Sequence, residues 1–243
     1  MHKLWNSESE WNNNRKVFSK FEESGLMRIL VACEESQAVT KEFRKLGHEA
    51  YSCDVLDCSG GHPEWHIKGD VLPLLKQKWD MIIAHPPCTY LSTAATRAHS
   101  LKSKENTLES IADRTMKRIK AMEFFMEFIN ADCDKIAVEN PTGVMNTCYR
   151  QPDCTVHPWY FAEDENDKIN YQQKRTSFWL KGLKPLEYDL DRIEKPVFEK
   201  YESNGKPRNF MNVIKCPTTR SKTFPSIAKA MAEQWGGLNE NKR

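Results

Sequence analysis

Apolar residues along this chain come in short runs that stop abruptly, separated by stretches where they recur every three or four positions. Arg28 to Cys33 and Glu49 to Cys53 have the apolar and β-branched character of strands. Between them, residues from about Gln37 to Leu46 read as a helix closed by Gly47, so the chain opens strand–helix–strand. Met81 to Ala84 is a short apolar run of buried-strand character, and Lys135-Ile-Ala-Val-Glu-Asn-Pro-Thr142 holds another. A further strand is predicted in Tyr171-Gln-Gln-Lys-Arg-Thr-Ser-Phe-Trp-Leu180. Helices are predicted over Val71 to Lys76, on the stripe Met116, Ile119, Met122, Phe125 and Ile129, and from Pro225, where Ile227, Met231 and Trp235 share a face. The alternation predicts an α/β domain, a mainly parallel sheet with helices on both faces. Residues 1–26 are polar, with Trp5, Trp11, Phe18 and Phe21 loosely spaced along one helical face, and read as an arm packed on the domain.

Chemistry collects where the strands stop. Pro86 and Pro87 lack backbone donors and cannot continue a central strand, so Cys88 falls just past the carboxyl end of its strand. In open α/β sheets that edge is where ligands bind. Glu139 and Asn140 end the next apolar run in the same manner, and Arg175 opens the last one. The segment Thr89 to Arg114 is long and polar, and reads as a loop of the length that is usually functional.

A thiol after Pro-Pro, then Glu-Asn, then Gln-x-Arg, in that order, resembles the cytosine-C5 methyltransferase family. The resemblance implies a Rossmann-like, S-adenosylmethionine-dependent fold with a catalytic core over 27–180. A small target-recognition or lid segment would follow over 181–222, and a C-terminal helix over 223–243 would pack back on the core. Cys88 would be the nucleophile, Glu139 would hold the base, Asn140 would orient the loop or Glu139, and Arg175 would support the base or the thiolate; Ser177 stands where the family has a second arginine. For S-adenosyl-L-methionine it implies contacts from Ala32 and Glu34 in the turn after the first strand, from Asp54 to the ribose, from Asp70 to the adenine, and from Pro86. The turn itself, Ala32-Cys-Glu-Glu-Ser-Gln37, lacks the family's glycines. The substrate would be cytosine in DNA, flipped out of the duplex.

Composition narrows the context. The chain has 243 residues, 39% hydrophobic and 29% charged, enough for one globular domain with a sizeable core. The net charge of +2 is unevenly spread: seven Lys/Arg between Arg97 and Lys120, and seven between Lys195 and Lys222, form basic stretches suited to phosphate. No run is long and apolar enough to span a membrane, so the expectation is a cytoplasmic protein whose eight cysteines are reduced. Cys53, Cys58, His62 and His66 mimic a metal-ligand spacing, but a loop reading is preferred and no metal is expected. Residues 181–222 are short for a DNA-recognition domain, which leaves a free pyrimidine nucleotide as a second substrate class. The glycine-free turn leaves a non-catalytic nucleic-acid binder as a third reading.

Overall fold

Seven strands form one mixed sheet in this computed structural model, which describes residues 25–101, 106–200, 202, 205, 213, 214 and 216–237. The strands are β1 (Arg28–Ala32), β2 (Glu49–Asp54), β3 (His66–Lys68), β4 (Met81–Ala84), β5 (Ile136–Asn140), β6 (Cys154–Val156) and β7 (Thr176–Lys181). Their order is β3-β2-β1-β4-β5-β7-β6. The first five are parallel to one another, and β7 runs antiparallel between β5 and β6. Parallel neighbours require crossovers, and helices supply several of them: α1 (Ala38–Lys45) joins β1 to β2 and α2 (Leu108–Ile129) lies between β4 and β5. Three short or terminal helices follow, α3 (Met145–Cys148), α4 (Pro217–Ser221) and α5 (Pro225–Gly236).

Side chains alternate across each strand, so the sheet buries two separate cores. Ile29 and Val31 of β1 pack with Val39 and Phe43 of α1 and with Ile227 and Met231 of α5. Leu30 and Ala32 face the other way, toward Phe125 and Phe128 of α2 and Leu74, Leu75 and Trp79. Burying a side chain of this size contributes about 1.5–3 kcal/mol, which is why a strand of four residues, β4, suffices when all four are covered. The last helix is also fastened by polar contacts. His48 sits between two carbon-rich walls with Nδ1 accepting from the Met27 N–H at 3.1 Å and Nε2 against the Gly236 carbonyl at 2.5 Å. A Cβ at Gly236 would lie 2.7 Å from Phe43, so the helix can approach this closely only with glycine there.

Several local expectations change. The predicted helix over Val71 to Lys76 is a turn followed by a single 3-10 turn, Leu74–Lys76, because Pro73 interrupts the backbone donors. The polar segment after Cys88 is less of a loop than its composition implies. It contains a 3-10 helix, Thr93–His99, and α2 begins at Leu108 behind a capping box in which Thr107 and Ser110 satisfy each other's backbone. The apolar stripe of α2 is core only in its last turns: Met116 and Ile119 are exposed, while Phe125 and Phe128 are fully buried. The strands β3 and β6 have three residues each, too few to show a period in sequence. The N-terminal arm expected over 1–26 lies, apart from Gly25 and Leu26, outside the described residues, as does part of the segment 181–222.

Candidate active site at the carboxyl edge of the sheet

The chain runs outward from β1 through β2 to β3, then returns to the other side of β1 for β4 and β5. Strand order therefore reverses between β1 and β4, the kind of place where open α/β sheets bind ligands. Backbone hydrogen bonds join the turns at this edge. His85 N–H donates to the Ala32 carbonyl (2.9 Å), Glu34 N–H to Cys53 (3.1 Å) and Gly69 N–H to Asp54 (2.9 Å). Asp54, Cys88, Glu139 and Asn140 thus share one edge, and β7, being antiparallel, brings its first residues to the same edge with Ser177 opposite Asn140.

Cys88 leaves the Pro-Pro turn with its carbonyl accepting from both Leu91 and Ser92 N–H groups at 3.0 Å. The loop then crosses to the one after β5: Ser92 pairs with Gly143, and the Val144 N–H reaches the Leu91 carbonyl at 2.8 Å. A Cβ on Gly143 would sit 1.9 Å from the Leu91 oxygen, so this fastening needs glycine. The residue is exposed, yet enough protein surrounds the thiol that burial is the largest influence on it, raising its pKa above the ordinary value. The negative charge of Glu139 raises it further, while Lys174 and Arg220 pull it back down.

Glu139 is held from one side by His85, whose Nδ1 lies 3.4 Å from Oε2, and the two side chains are only 8% and 15% exposed. Asn140 is buried and donates through Nδ2 to the Pro86 carbonyl at 2.7 Å. From the other side comes Lys174, whose charge acts on both Glu139 and Cys88. Its ammonium donates to the carbonyls of Arg220 (2.9 Å) and Lys222 (3.2 Å) and sits 5.7 Å from the Phe224 ring centre, and burial lowers its pKa. Sequence reasoning missed Lys174 in favour of its neighbour. Arg175 is exposed and its charge acts instead at His157 and Tyr160. Successive residues leading into a strand point to opposite faces, so only one of the two can look at Cys88. Ser177 is fully buried and shares a hydrogen bond with Thr155 (3.0 Å).

The turn after β1 replaces glycine with strained ordinary residues. Cys33 and Gln37 take left-handed backbone angles (φ 59° and 56°), at a cost on the order of 1 kcal/mol each. Gln37 is held there by its amide, which donates to the His62 carbonyl at 2.7 Å and accepts from the His62 N–H at 3.1 Å. Glu34 is turned inward: its carboxylate accepts from Val39 N–H (2.7 Å), Thr40 N–H (3.3 Å) and the Thr40 hydroxyl (2.8 Å), capping α1. Asp54 and Asp70 each accept from a backbone N–H two residues on, Leu56 at 2.9 Å and Leu72 at 3.0 Å. Their charges converge on one spot, since both raise the pKa of Cys53, pushed up to about 12 chiefly by burial. Ala32 is completely buried, and Pro86 is buried behind the turn.

A cavity of about 420 Å³ opens on the α1 side of this turn, lined by Ser36, Ala38, Lys41, Lys222 and Phe224 among others, and none of Asp54, Cys88 and Glu139 reaches it. The four residues with metal-like spacing part company: Cys53 turns to Gly69, Cys58 to Gln37, His62 stacks on Trp65, and His66 meets Ser52. Among the described residues, no three His, Cys, Asp or Glu side chains converge as a metal site, and no helix is long and apolar enough to cross a membrane. The chain matches no protein-family model and no curated protein sequence.

Proposed function

We propose that this chain is an S-adenosyl-L-methionine-dependent methyltransferase with a Rossmann-like sheet that methylates C5 of cytosine in DNA through a covalent bond from Cys88 to C6. The observation that carries the reading is the pairing of the Cys88 thiol with the Glu139 carboxyl at the ends of adjacent parallel strands, beside the point where strand order reverses. Cytosine C5 is a weak nucleophile. Addition of the Cys88 thiolate to C6 turns the ring into an enamine whose C5 can attack an electrophilic methyl group, splitting one hard step into easier ones. Electron density moving toward N3 is met by a proton from Glu139, which also addresses the exocyclic amine. Lys174 and Arg220 offset the negative charge as the thiol ionises. Loss of the C5 proton to a solvent base and expulsion of Cys88 then restore the aromatic ring and the free thiol.

The residues at this edge suit the cofactor. Asp54 commits one oxygen to its own turn and leaves the other for ribose hydroxyls, and Asp70 is exposed beside it for the adenine amino group. Val55 and Leu56, 70% and 52% exposed next to Asp54, offer an apolar face to a purine. Ala32 and Pro86 lie buried beneath the two turns at this edge, and Glu34, bound to α1, shapes the first of them. The cofactor supplies a methyl group on a sulfonium centre. DNA is favoured over a free nucleotide by the exposed face of α2 beyond the nucleophile loop, which presents Lys120 and also Lys117, the latter paired with Asp113 at 2.7 Å.

DNA carrying 5-fluorocytosine tests the reading, because fluorine cannot leave C5 as a proton once the methyl has arrived. With S-adenosylmethionine present, the protein should be trapped on the DNA at Cys88, located by peptide mass spectrometry, and Cys88→Ser should give no adduct. An adduct at another cysteine, or methylation by Cys88→Ser at the wild-type rate, would overturn it.

A further inference from the structure

The His85 ring is an unusual thing to bury in this place. It is 8% exposed, its backbone N–H is fixed to the Ala32 carbonyl at 2.9 Å, and its Nε2 has no hydrogen-bond partner among the described residues. Among the described residues, the polar contact of the ring is Nδ1 with Glu139 Oε2 at 3.4 Å. A buried N–H without an acceptor is the more costly way to leave a ring nitrogen alone, because orphaned buried donors are rarer in proteins than under-satisfied acceptors. The proton of the neutral ring therefore belongs on Nδ1, which makes Nδ1–H the donor and Oε2 the acceptor.

We propose that His85 is a positioning residue that pins Oε2 of Glu139, so that Oε1 is the oxygen turned to the substrate and the one that carries the transferable proton. The proposal rests on the methyltransferase reading for the identity of the substrate, and goes beyond it in assigning a residue that never touches the base. A carboxyl group with two equivalent oxygens rotates freely between productive and unproductive poses. A donor fixed to the sheet through Ala32 removes half of them. The proton balance is simple. The proton given up by the Cys88 thiol is taken up on Oε1 of the Glu139 carboxylate, and as the thiolate adds to C6 it passes on to N3, returning Glu139 to a carboxylate whose charge is shared with the Nδ1–H bond. When Cys88 leaves, the proton returns to Oε1. His85 neither gains nor loses a proton in the cycle.

Two measurements on the full-length protein test this. The first is the rate of Cys88 trapping on 5-fluorocytosine DNA. His85→Leu should slow trapping about 10- to 100-fold, the loss expected when a catalytic group is misplaced. His85→Asn, which keeps an N–H donor near the Nδ1 position, should recover most of it. In a Glu139→Gln background, His85→Leu should add no further loss, because its action runs through that carboxyl. Thermal melts accompany each variant, and alkylation of Cys88 by iodoacetamide should proceed in all of them, showing the nucleophile intact. Trapping by folded His85→Leu at the wild-type rate, or losses that multiply in the double variant, overturns the proposal. The second measurement does not depend on any substrate: ¹⁵N shifts of His85, assigned by its absence in His85→Asn, should show Nδ1 protonated and Nε2 bare, with the Nδ1 signal moving in Glu139→Gln. The opposite tautomer overturns the proposal. Absence of any adduct in the wild-type protein would count against the methyltransferase reading, while the shifts would still decide the His85–Glu139 contact.

Discussion

Asn140 donates through Nδ2 to the Pro86 carbonyl at 2.7 Å, so the end of β5 is tied directly to the turn that carries Cys88. Proline interrupts the strand ladder at that point, and a side chain takes over from the backbone. The bond is buried, so removing the donor leaves the Pro86 carbonyl unsatisfied. Asn140→Ala should lower stability by about 1–3 kcal/mol in a urea titration. It should also slow Cys88 trapping, since the nucleophile turn and Glu139 lose their common anchor. A variant of unchanged stability would show that the loop crossing at Gly143 fixes the turn alone.

Lys174 and Glu139 act on the Cys88 thiol with opposite signs, and this can be read without any substrate. Burial and Glu139 raise the thiol's pKa, and Lys174 lowers it. Lys174→Met should therefore move the onset of Cys88 alkylation to higher pH and slow it at pH 8 by at least about threefold, because the thiolate is the reactive form. Glu139→Gln should move the onset to lower pH. Lys174→Arg keeps the charge and should stay near wild type, and Arg175→Met, whose side chain faces away, should do nothing. The rates are followed on the Cys88 peptide by mass spectrometry. Equal effects of Lys174→Met and Arg175→Met would mean that the two side chains do not divide between faces as described.

The contrast between those two residues shows what could be seen in the sequence. Each strand that delivers a candidate residue is an apolar run halted by proline or by polar residues, and that signal is local, so Met81–Ala84 and the end of β5 were legible with their following residues. Which side chain of Lys174-Arg175 faces the thiol depends on the register of β7 against β5, a pairing across more than thirty residues that no local pattern encodes. The same holds for β7 inserting between β5 and β6. Glu34 was legible as an acidic residue in the first turn, but its commitment to α1 depends on Thr40 lying one turn on. Thr107 and Ser110 did carry a readable helix-start signal, hidden by the polar composition around them. His85 was passed over because beside Pro-Pro it looks like the end of a strand and nothing more.

Asp54→Ala should weaken S-adenosylmethionine binding in calorimetry by roughly tenfold or more, the order expected when a carboxylate loses hydrogen bonds to a ligand hydroxyl. The substitution removes one turn bond, to Leu56 N–H, from a partly exposed position, so the melting temperature should change little. Asp54→Asn keeps the turn acceptor and isolates the effect of charge. Unchanged affinity in both variants would move the cofactor away from the end of β2.

His48 gives the fold a pH dependence that can be separated from the chemistry. It is 1% exposed, and burial lowers its pKa below the ordinary histidine value, outweighing the Gly236 carbonyl contact, which raises it. Its Nδ1 already accepts the Met27 N–H, so a second ring proton would meet a donor head-on. The folded protein therefore takes up that proton less readily than the unfolded chain, whose histidine titrates near about 6.5. The contribution of His48 to stability is complete above that pH, and it falls as acid is added and the unfolded chain binds the proton first. Urea titrations at pH 7.5 and 5.5 should show the wild-type protein losing stability on acidification. His48→Gln, which can still donate to Gly236 but cannot titrate, should lose less. If the two proteins fall in parallel, the acid sensitivity belongs elsewhere, at His157, held low by burial and the charges of Arg175 and Lys195, or at His99, held low by burial and the charges of Arg118 and Arg114.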